Sequence, residues 1–217
     1  MGTHDGIPWE FPRSAVHPRD ARGLARWDSG AYRGIYAAKH AIALELQPGS
    51  ILEIGVRAGY SALAFLSACP KARYVGLDAE NGRHGGQGGP WTPWAKGLLE
   101  PYSAEIAVVD TQESDSLTRL WARRTADFPL PIQVLVFGPF DLIHVDGDHS
   151  EAGCLHDLRL SLPALAQDGA ILVDDMNLGG VRRAVDRFTE ENGLLAEPRP
   201  VRSALLSDRD NFQTPRV

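Results

Sequence analysis

Five short, nearly apolar runs, each stopping at a glycine or an acid and separated by helical stretches, constrain this 217-residue chain most tightly. They are Ile51-Leu52-Glu53-Ile54 stopping at Gly55, Tyr74 to Leu77 stopping at Asp78, Glu105 to Val109 stopping at Asp110, Leu142 to Val145 stopping at Asp146, and Ala170 to Val173 stopping at Asp174-Asp175. Runs this short and apolar read as strands buried on both faces. Helical spacing fills the intervals over Ser61–Ala68, Leu117–Arg124 and roughly Cys154–Ala166, with an amphipathic helix before the series (Tyr32–Leu46) and another after it (Val181–Glu191). Alternation of this kind predicts an α/β, Rossmann-like fold: a mostly parallel sheet with helices on both faces and ligands beyond the carboxyl ends of the strands. Every acid just named falls at that edge.

The remaining segments frame this core. Residues 1–30, broken by Pro8, Pro12, Pro18 and Gly23, predict an irregular arm or lid with one short helix at most. Residues 82–94 are rich in glycine, proline and tryptophan and predict a loop inserted between the second and third strands. Beyond Gly193 only weak strand patterns occur, near Leu194-Leu195 and Val201–Leu206. One domain, 1–217, is expected, since 43% hydrophobic and 23% charged residues suit a single sizeable core.

A formal net charge of −6 offers no long-range attraction for phosphate backbones or anionic lipid, which argues against nucleic-acid or membrane partners. No apolar run reaches bilayer-spanning length and the first residues carry no apolar leader core, so a cytoplasmic location is expected. The two cysteines, Cys69 and Cys154, share no ligand spacing and read as free thiols.

Glu53-Ile-Gly55-Val-Arg-Ala-Gly59 is a glycine-bearing turn between strand and helix, where missing side chains let a ligand lie against the backbone. Arg57 stands where a dinucleotide fingerprint needs its second glycine, which argues against a pyrophosphate. Asp78 is placed to accept both hydroxyls of a ribose, Asp110 an adenine amino group, and Glu53 to help hold the amino-acid end of the ligand. Three acids without a phosphate cradle suit a cationic cofactor.

In order, ILEIGVRAG, GLDAE, VVDTQES, FDLIHVDGDHS and GAILVDDM resemble the successive motifs of class I S-adenosylmethionine-dependent methyltransferases, over roughly residues 50–176. The pairing of HVDGDHS with VDDM is similar to the magnesium-dependent small-molecule O-methyltransferases, the sugar-modifying group above all. The resemblance implies S-adenosylmethionine as cofactor, bound by Glu53, Gly55, Gly59, Asp78 and Asp110, and Mg2+ held by Asp146, Asp174 and Asp175. From the residues alone, carboxylates ending two neighbouring strands attract a hard divalent cation, and both members of the pair can ligate only if the strand has turned between them. The metal's use is to lower the pKa of an attacking hydroxyl and fix its angle to the sulfonium.

Two candidates remain for the general base. The resemblance to sugar enzymes points to Asp148, whereas His149 has an unperturbed pKa of about 6.5 suited to the task. His144 and His156 read as packed or solvated residues outside the site. The acceptor is expected to be a hydroxylated small molecule, a sugar or phenolic unit of a secondary metabolite, with Trp91, Trp94, Trp9 and Trp27 available to cover it. A homodimer is a family-level expectation. Competing readings are a metal-independent N- or C-methyltransferase and a noncatalytic or hydroxylase-like module on the same fold.

Overall fold

The structure is a computed structural model and describes residues 9–83, 89–113, 139–199 and 203–207. In chain order its elements are α1 (Ala21–Asp28), α2 (Ala31–Leu46), β1 (Ser50–Ile54), α3 (Tyr60–Ala68), β2 (Arg73–Asp78), α4 (Thr92–Leu98), β3 (Ala104–Val108), β4 (Phe140–Val145), α5 (Glu151–Ser161), β5 (Leu165–Val173), α6 (Gly179–Asn192), β6 (Leu195–Arg199) and β7 (Ser203–Ser207). The strands form one sheet in the order β3-β2-β1-β4-β5-β7-β6. The first five are mutually parallel, and β7 joins β5 antiparallel, as β6 joins β7. The chain builds outward from β1 to β3 and then resumes on the other side at β4. The switch therefore lies between β1 and β4, where open α/β sheets place ligands.

Pairing of Leu77 and Val145 with Ile54, and of Val173 with Val145, brings the strand ends level along this edge. Side chains alternate between two apolar layers. Ile51, Tyr74, Leu142 and Leu172 face α2 and α3 with Ala43, Ala64 and Phe65. Leu52, Val75, Ile143 and Ile171 face α5 and α6 with Leu158, Val185 and Phe188. Each fully buried large side chain contributes roughly 1.5–3 kcal/mol of transfer free energy, which holds the strand ends in register.

Several boundaries differ from the sequence reading. β5 begins at Leu165, five residues earlier than the apolar run at Ala170, and pairs Phe140 with Leu165 before the register shifts. The helix expected through Ala166 ends at Ser161, because Pro163 sits in a short 3-10 turn. The two weak C-terminal patterns are strands β6 and β7. The arm contains a 3-10 turn at Arg13–Ala15 and the helix α1, capped by Asp20, whose Oδ1 accepts from the Gly23 N–H at 2.8 Å. Phe11, Ala15 and Val16 are buried in the core, so the described part of the arm is packed into the domain. Of the expected loop, residues 84–88 lie outside the described residues, and Thr92–Leu98 is helix, with Pro93 tolerated in its first turn. The helix expected over 117–124 also lies outside them. Among the described residues no helix is long and apolar enough to cross a membrane.

Candidate active site

A cleft opens beyond the ends of β1, β2 and β4, bordered by Gly55, Arg57, Asp78, Asp110, Asp146 and His149 among others. Gly55 shapes its floor. Its φ is +93°, and a Cβ there would stand 2.0 Å from the carbonyl oxygen of Asp146, so only glycine lets the β1 and β4 ends approach this closely. Asp78 braces the turn that follows: Oδ2 accepts from the Arg57 N–H at 2.6 Å and Oδ1 from the Glu80 N–H at 2.7 Å. A carboxylate has about four acceptor directions, so Asp78 retains capacity toward the cleft. Asp110 is oriented by Asn81 Nδ2 at 2.7 Å and by the Gln112 N–H at 3.0 Å. The Arg57 guanidinium reaches back to Asp20 at 2.8 Å and lies 4.9 Å from the Trp91 ring, tying the arm to the cleft wall. Gly59 caps α3 with φ +78°, close against Ala95.

Glu53 requires a correction. Its side chain is buried, with one oxygen accepting from the Tyr74 hydroxyl and the other 3.0 Å from His144 Nδ1. Both oxygens are thus engaged beneath the cleft wall, and Glu53 is not among the cleft-lining residues. It supports the β1 end from within instead of meeting a ligand's amino-acid end.

On the reaction side, Asp146 follows β4 while Asp174 and Asp175 follow β5. The turn required between the pair is present. The Asp174 N–H still bonds to the Val145 carbonyl at 3.1 Å, continuing the sheet, whereas Asp175 adopts φ +53°, a left-handed conformation that swings its side chain the other way. Asp146, Asp175 and His149 thereby converge, with His149 Nε2 3.5 Å from Asp146 Oδ1 and 3.5 Å from Asp175 Oδ2. That nitrogen is shielded from solvent between the two carboxylates. Asp146 is the main influence drawing the imidazole pKa up, against burial. Burial, together with the charges of Asp146 and Asp174, pushes the Asp175 carboxyl above its ordinary range.

Between the two candidate bases the geometry separates roles. Asp148 borders the cleft, but its Oδ1 accepts from the Ser150 N–H at 2.7 Å and its carboxylate leans over the first turn of α5, where a Cβ on Gly153 would stand 2.1 Å from Oδ2. His149 is the one that meets the acidic cluster.

Asp174 turns inward. Its Oδ1 accepts from Ser203 Oγ at 2.9 Å, and its Oδ2 lies 2.5 Å from Lys39 Nζ. Lys39, on α2, is 1% exposed and also contacts Ser61 Oγ at 2.7 Å and His144 Nε2 at 3.3 Å. Burial works against the lysine's charge, but Asp174 foremost, then Asp146 and Glu53, more than offset it and raise its pKa. Burial would likewise raise Asp174, yet Lys39 and then His144 hold it far below the carboxylate range. Sequence reasoning missed this chain of Tyr74, Glu53, His144, Asp174 and Lys39. A histidine inside an otherwise apolar strand and a lysine on the apolar face of a helix were its available signals. His156, as expected, lies outside the cluster and faces the Thr111 carbonyl at 2.7 Å.

Residues 52–176, more than half of the chain, match a family model described as a methyltransferase domain. The chain belongs to this methyltransferase family. Solved structures agree on the fold. An S-adenosylhomocysteine-bound methyltransferase of Podospora anserina, PaMTH1, superposes with a TM-score of 0.59 at 19% identity, covering 91% of this chain and 88% of that one. The calicheamicin-pathway TDP-rhamnose 3'-O-methyltransferase CalS11 gives 0.56 at 18% identity over 88% and 87%. The Streptomyces achromogenes O-methyltransferase TomG, of tomaymycin synthesis and in complex with S-adenosylmethionine, gives 0.52 at 20% identity over 80% and 78%. No curated protein matches this methyltransferase significantly. Its fold is the Rossmann-like class I form, with the antiparallel β6–β7 pair completing the seven-stranded sheet.

Proposed function

We propose that this methyltransferase uses S-adenosylmethionine to methylate a hydroxyl of a small molecule, a sugar or phenolic unit of a natural product, with the help of a divalent cation such as Mg2+. The observation that carries the reading is His149 Nε2, shielded from solvent and set between the carboxylates of Asp146 and Asp175 beside a cleft bordered by Asp78 and Asp110. The natural-product O-methyltransferases among the structural neighbours support it by analogy of fold.

The residues fit the cofactor. Asp78 and Asp110 present carboxylates at successive strand ends, one for ribose hydroxyls and one for an adenine amino group, and Gly55 removes the side chain that would bar a ligand from the floor. When bound, the cofactor supplies a sulfonium-activated methyl group. The residues also fit a hard cation, since Mg2+ is commonly held by one or two carboxylates with the remaining positions left to water and substrate oxygens. Asp146 and Asp175 supply that pair, and the bound ion would neutralise them and acidify an acceptor hydroxyl. His149, in its neutral form, would take the acceptor hydroxyl's proton on Nε2, and the bound cofactor would supply the methyl group that the acceptor oxygen receives. General-base assistance of this kind is worth roughly 10²–10⁴ in rate.

Calorimetric titration with S-adenosylmethionine and S-adenosylhomocysteine, in Mg2+ and in excess chelator, tests the reading. Binding should survive the chelator, be lost in Asp78→Ala and persist in Asp146→Ala, while turnover of hydroxylated acceptors should require the metal. Absence of cofactor binding under every condition would sink it, and chelator-resistant turnover would leave the metal-independent form.

A further inference from the structure

The geometry points to Lys39 as a built-in counter-ion that withdraws Asp174 from the metal, so that a divalent cation rests on Asp146 and Asp175 and not on the full acidic triplet. This inference rests on the divalent-cation reading above.

The two members of the acidic pair leave the sheet in opposite directions. Leu172 belongs to the layer facing α2 and α3, and Asp174, two residues on and still bonded to β4, continues on that side. There it meets α2, where Lys39 Nζ lies 2.5 Å from Oδ2, while Ser203 of β7 donates to Oδ1 at 2.9 Å. Each oxygen has a protein partner, and the Lys39 ammonium matches the carboxylate's charge. Asp175, through its positive φ, meets Asp146 and His149, whereas Asp174, although it has an oxygen within 4.8 Å of one on Asp146, carries the Lys39 ammonium between itself and the core.

Lys39 is itself fixed. Its three ammonium hydrogens have three neighbours, Asp174 Oδ2, Ser61 Oγ and His144 Nε2, and His144 is in turn anchored on Glu53. A metal that captured Asp174 would have to leave a lysine charge buried without its carboxylate, a state strongly disfavoured in a low-dielectric interior. Swinging that lysine out to water is blocked by its place in the core, where it is 1% exposed. Lys39 is thus a positioning residue: it sets how many carboxylates the site offers, and with that keeps the cation weakly held and open to acceptor oxygens.

Mn2+ binding to the purified protein, followed by electron paramagnetic resonance of the free ion, reads this without turnover. Asp146→Asn and Asp175→Asn should each weaken Mn2+ by at least about tenfold, whereas the double variant Lys39→Met/Asp174→Asn, which removes the buried pair together, should stay within about threefold of wild type. Lys39→Met should tighten Mn2+ about tenfold or more by releasing Asp174, and the gain should vanish in the charge-neutral double variant Lys39→Met/Asp174→Asn, which also preserves packing if the single variant folds poorly. Loss of Mn2+ in the Lys39→Met/Asp174→Asn double variant as severe as in Asp146→Asn, or weaker binding in a folded Lys39→Met, overturns the inference. Failure of the wild type to bind Mn2+ at all overturns instead the metal reading on which it rests, and the inference with it.

Discussion

Asp157 is 0% exposed on α5, where its Oδ1 accepts from Thr111 Oγ1 at 2.7 Å and from Gln112 Nε2 at 2.9 Å. Its Oδ2 lies against the Gly147 turn, where an added Cβ would stand 2.7 Å away. It therefore joins the loop after β3, on the cofactor side, to the loop after β4, on the reaction side. Burial raises its pKa to about 6 from 3.8, with the Thr111 hydroxyl holding the rise back in part. An acid whose folded pKa is raised binds a proton more readily folded than unfolded. It therefore costs stability as pH climbs from about 4 through 6, and the cost is complete above that window. A shift of roughly two units at 1.36 kcal/mol each is about 3 kcal/mol. Asp157→Asn keeps the acceptor for Thr111 and Gln112 and removes the ionisation. Relative to wild type it should gain up to about 3 kcal/mol between pH 4.5 and pH 8, or roughly 6–10 °C in melting temperature for a chain of this length. Parallel urea and thermal melts of the two proteins at half-unit pH steps measure the difference, and the other carboxylates cancel in the comparison. A difference that stays flat with pH, or one that turns against the variant at pH 8, would show that the ionised carboxylate is the stabilising form and refute the reasoning.

Two further perturbations probe the cleft. Gly55→Ala places a methyl 2.0 Å from the Asp146 carbonyl oxygen on a backbone at φ +93°, so strain and overpacking together should cost about 3–5 kcal/mol and weaken S-adenosylhomocysteine binding; a wild-type denaturation midpoint and affinity would contradict it. Asp20→Ala removes both the cap of α1 and the 2.8 Å partner of Arg57, and should lower stability by about 2–3 kcal/mol while loosening the arm, seen as faster amide exchange over residues 9–28. Unchanged exchange there would mean that the buried aromatic contacts of Phe11 hold the arm unaided.

The parallel core was legible because a strand buried on both faces leaves an apolar run, and a strand end at a ligand edge leaves an acid or a glycine. Asp78, Asp110 and Asp146 border the cleft from their strand ends, and Asp175 lies beside His149. The edge of the sheet was less legible. β6, with Glu197 and Pro198 in it, and the irregular start of β5 are held by pairing with distant partners, which local pattern does not encode. The inward acid was not legible either. Asp174 and Asp175 are adjacent and chemically identical, and only the sign of one backbone dihedral sends them to opposite sides. Lys39 sits 135 residues from Asp174, on a helix face where a buried lysine and one whose stem merely lines the core look alike in sequence. Glu53 was misassigned for a related reason: the strand-end position was recognised, but alternation aims its side chain into the layer below the cleft.

Placing β7 between β5 and β6 also fixes the order in which the protein can become competent during synthesis. Until residues 203–207 have left the ribosome, the growing chain ends in an uncovered β5 edge, with Ile171, Leu172 and Val173 lacking their pairing partners and Asp174 lacking Ser203. An apolar parallel sheet with an open margin is a template for intermolecular pairing, and its long-range contacts form slowly. Docking of β7 covers this margin and leaves β6 and, across the sheet, β3 as the outer strands. Translation stalled after α6 should consequently yield a chain with the β5 edge uncovered, whereas chains that extend through Ser207 cover that edge and bring Ser203 to Asp174 in one event.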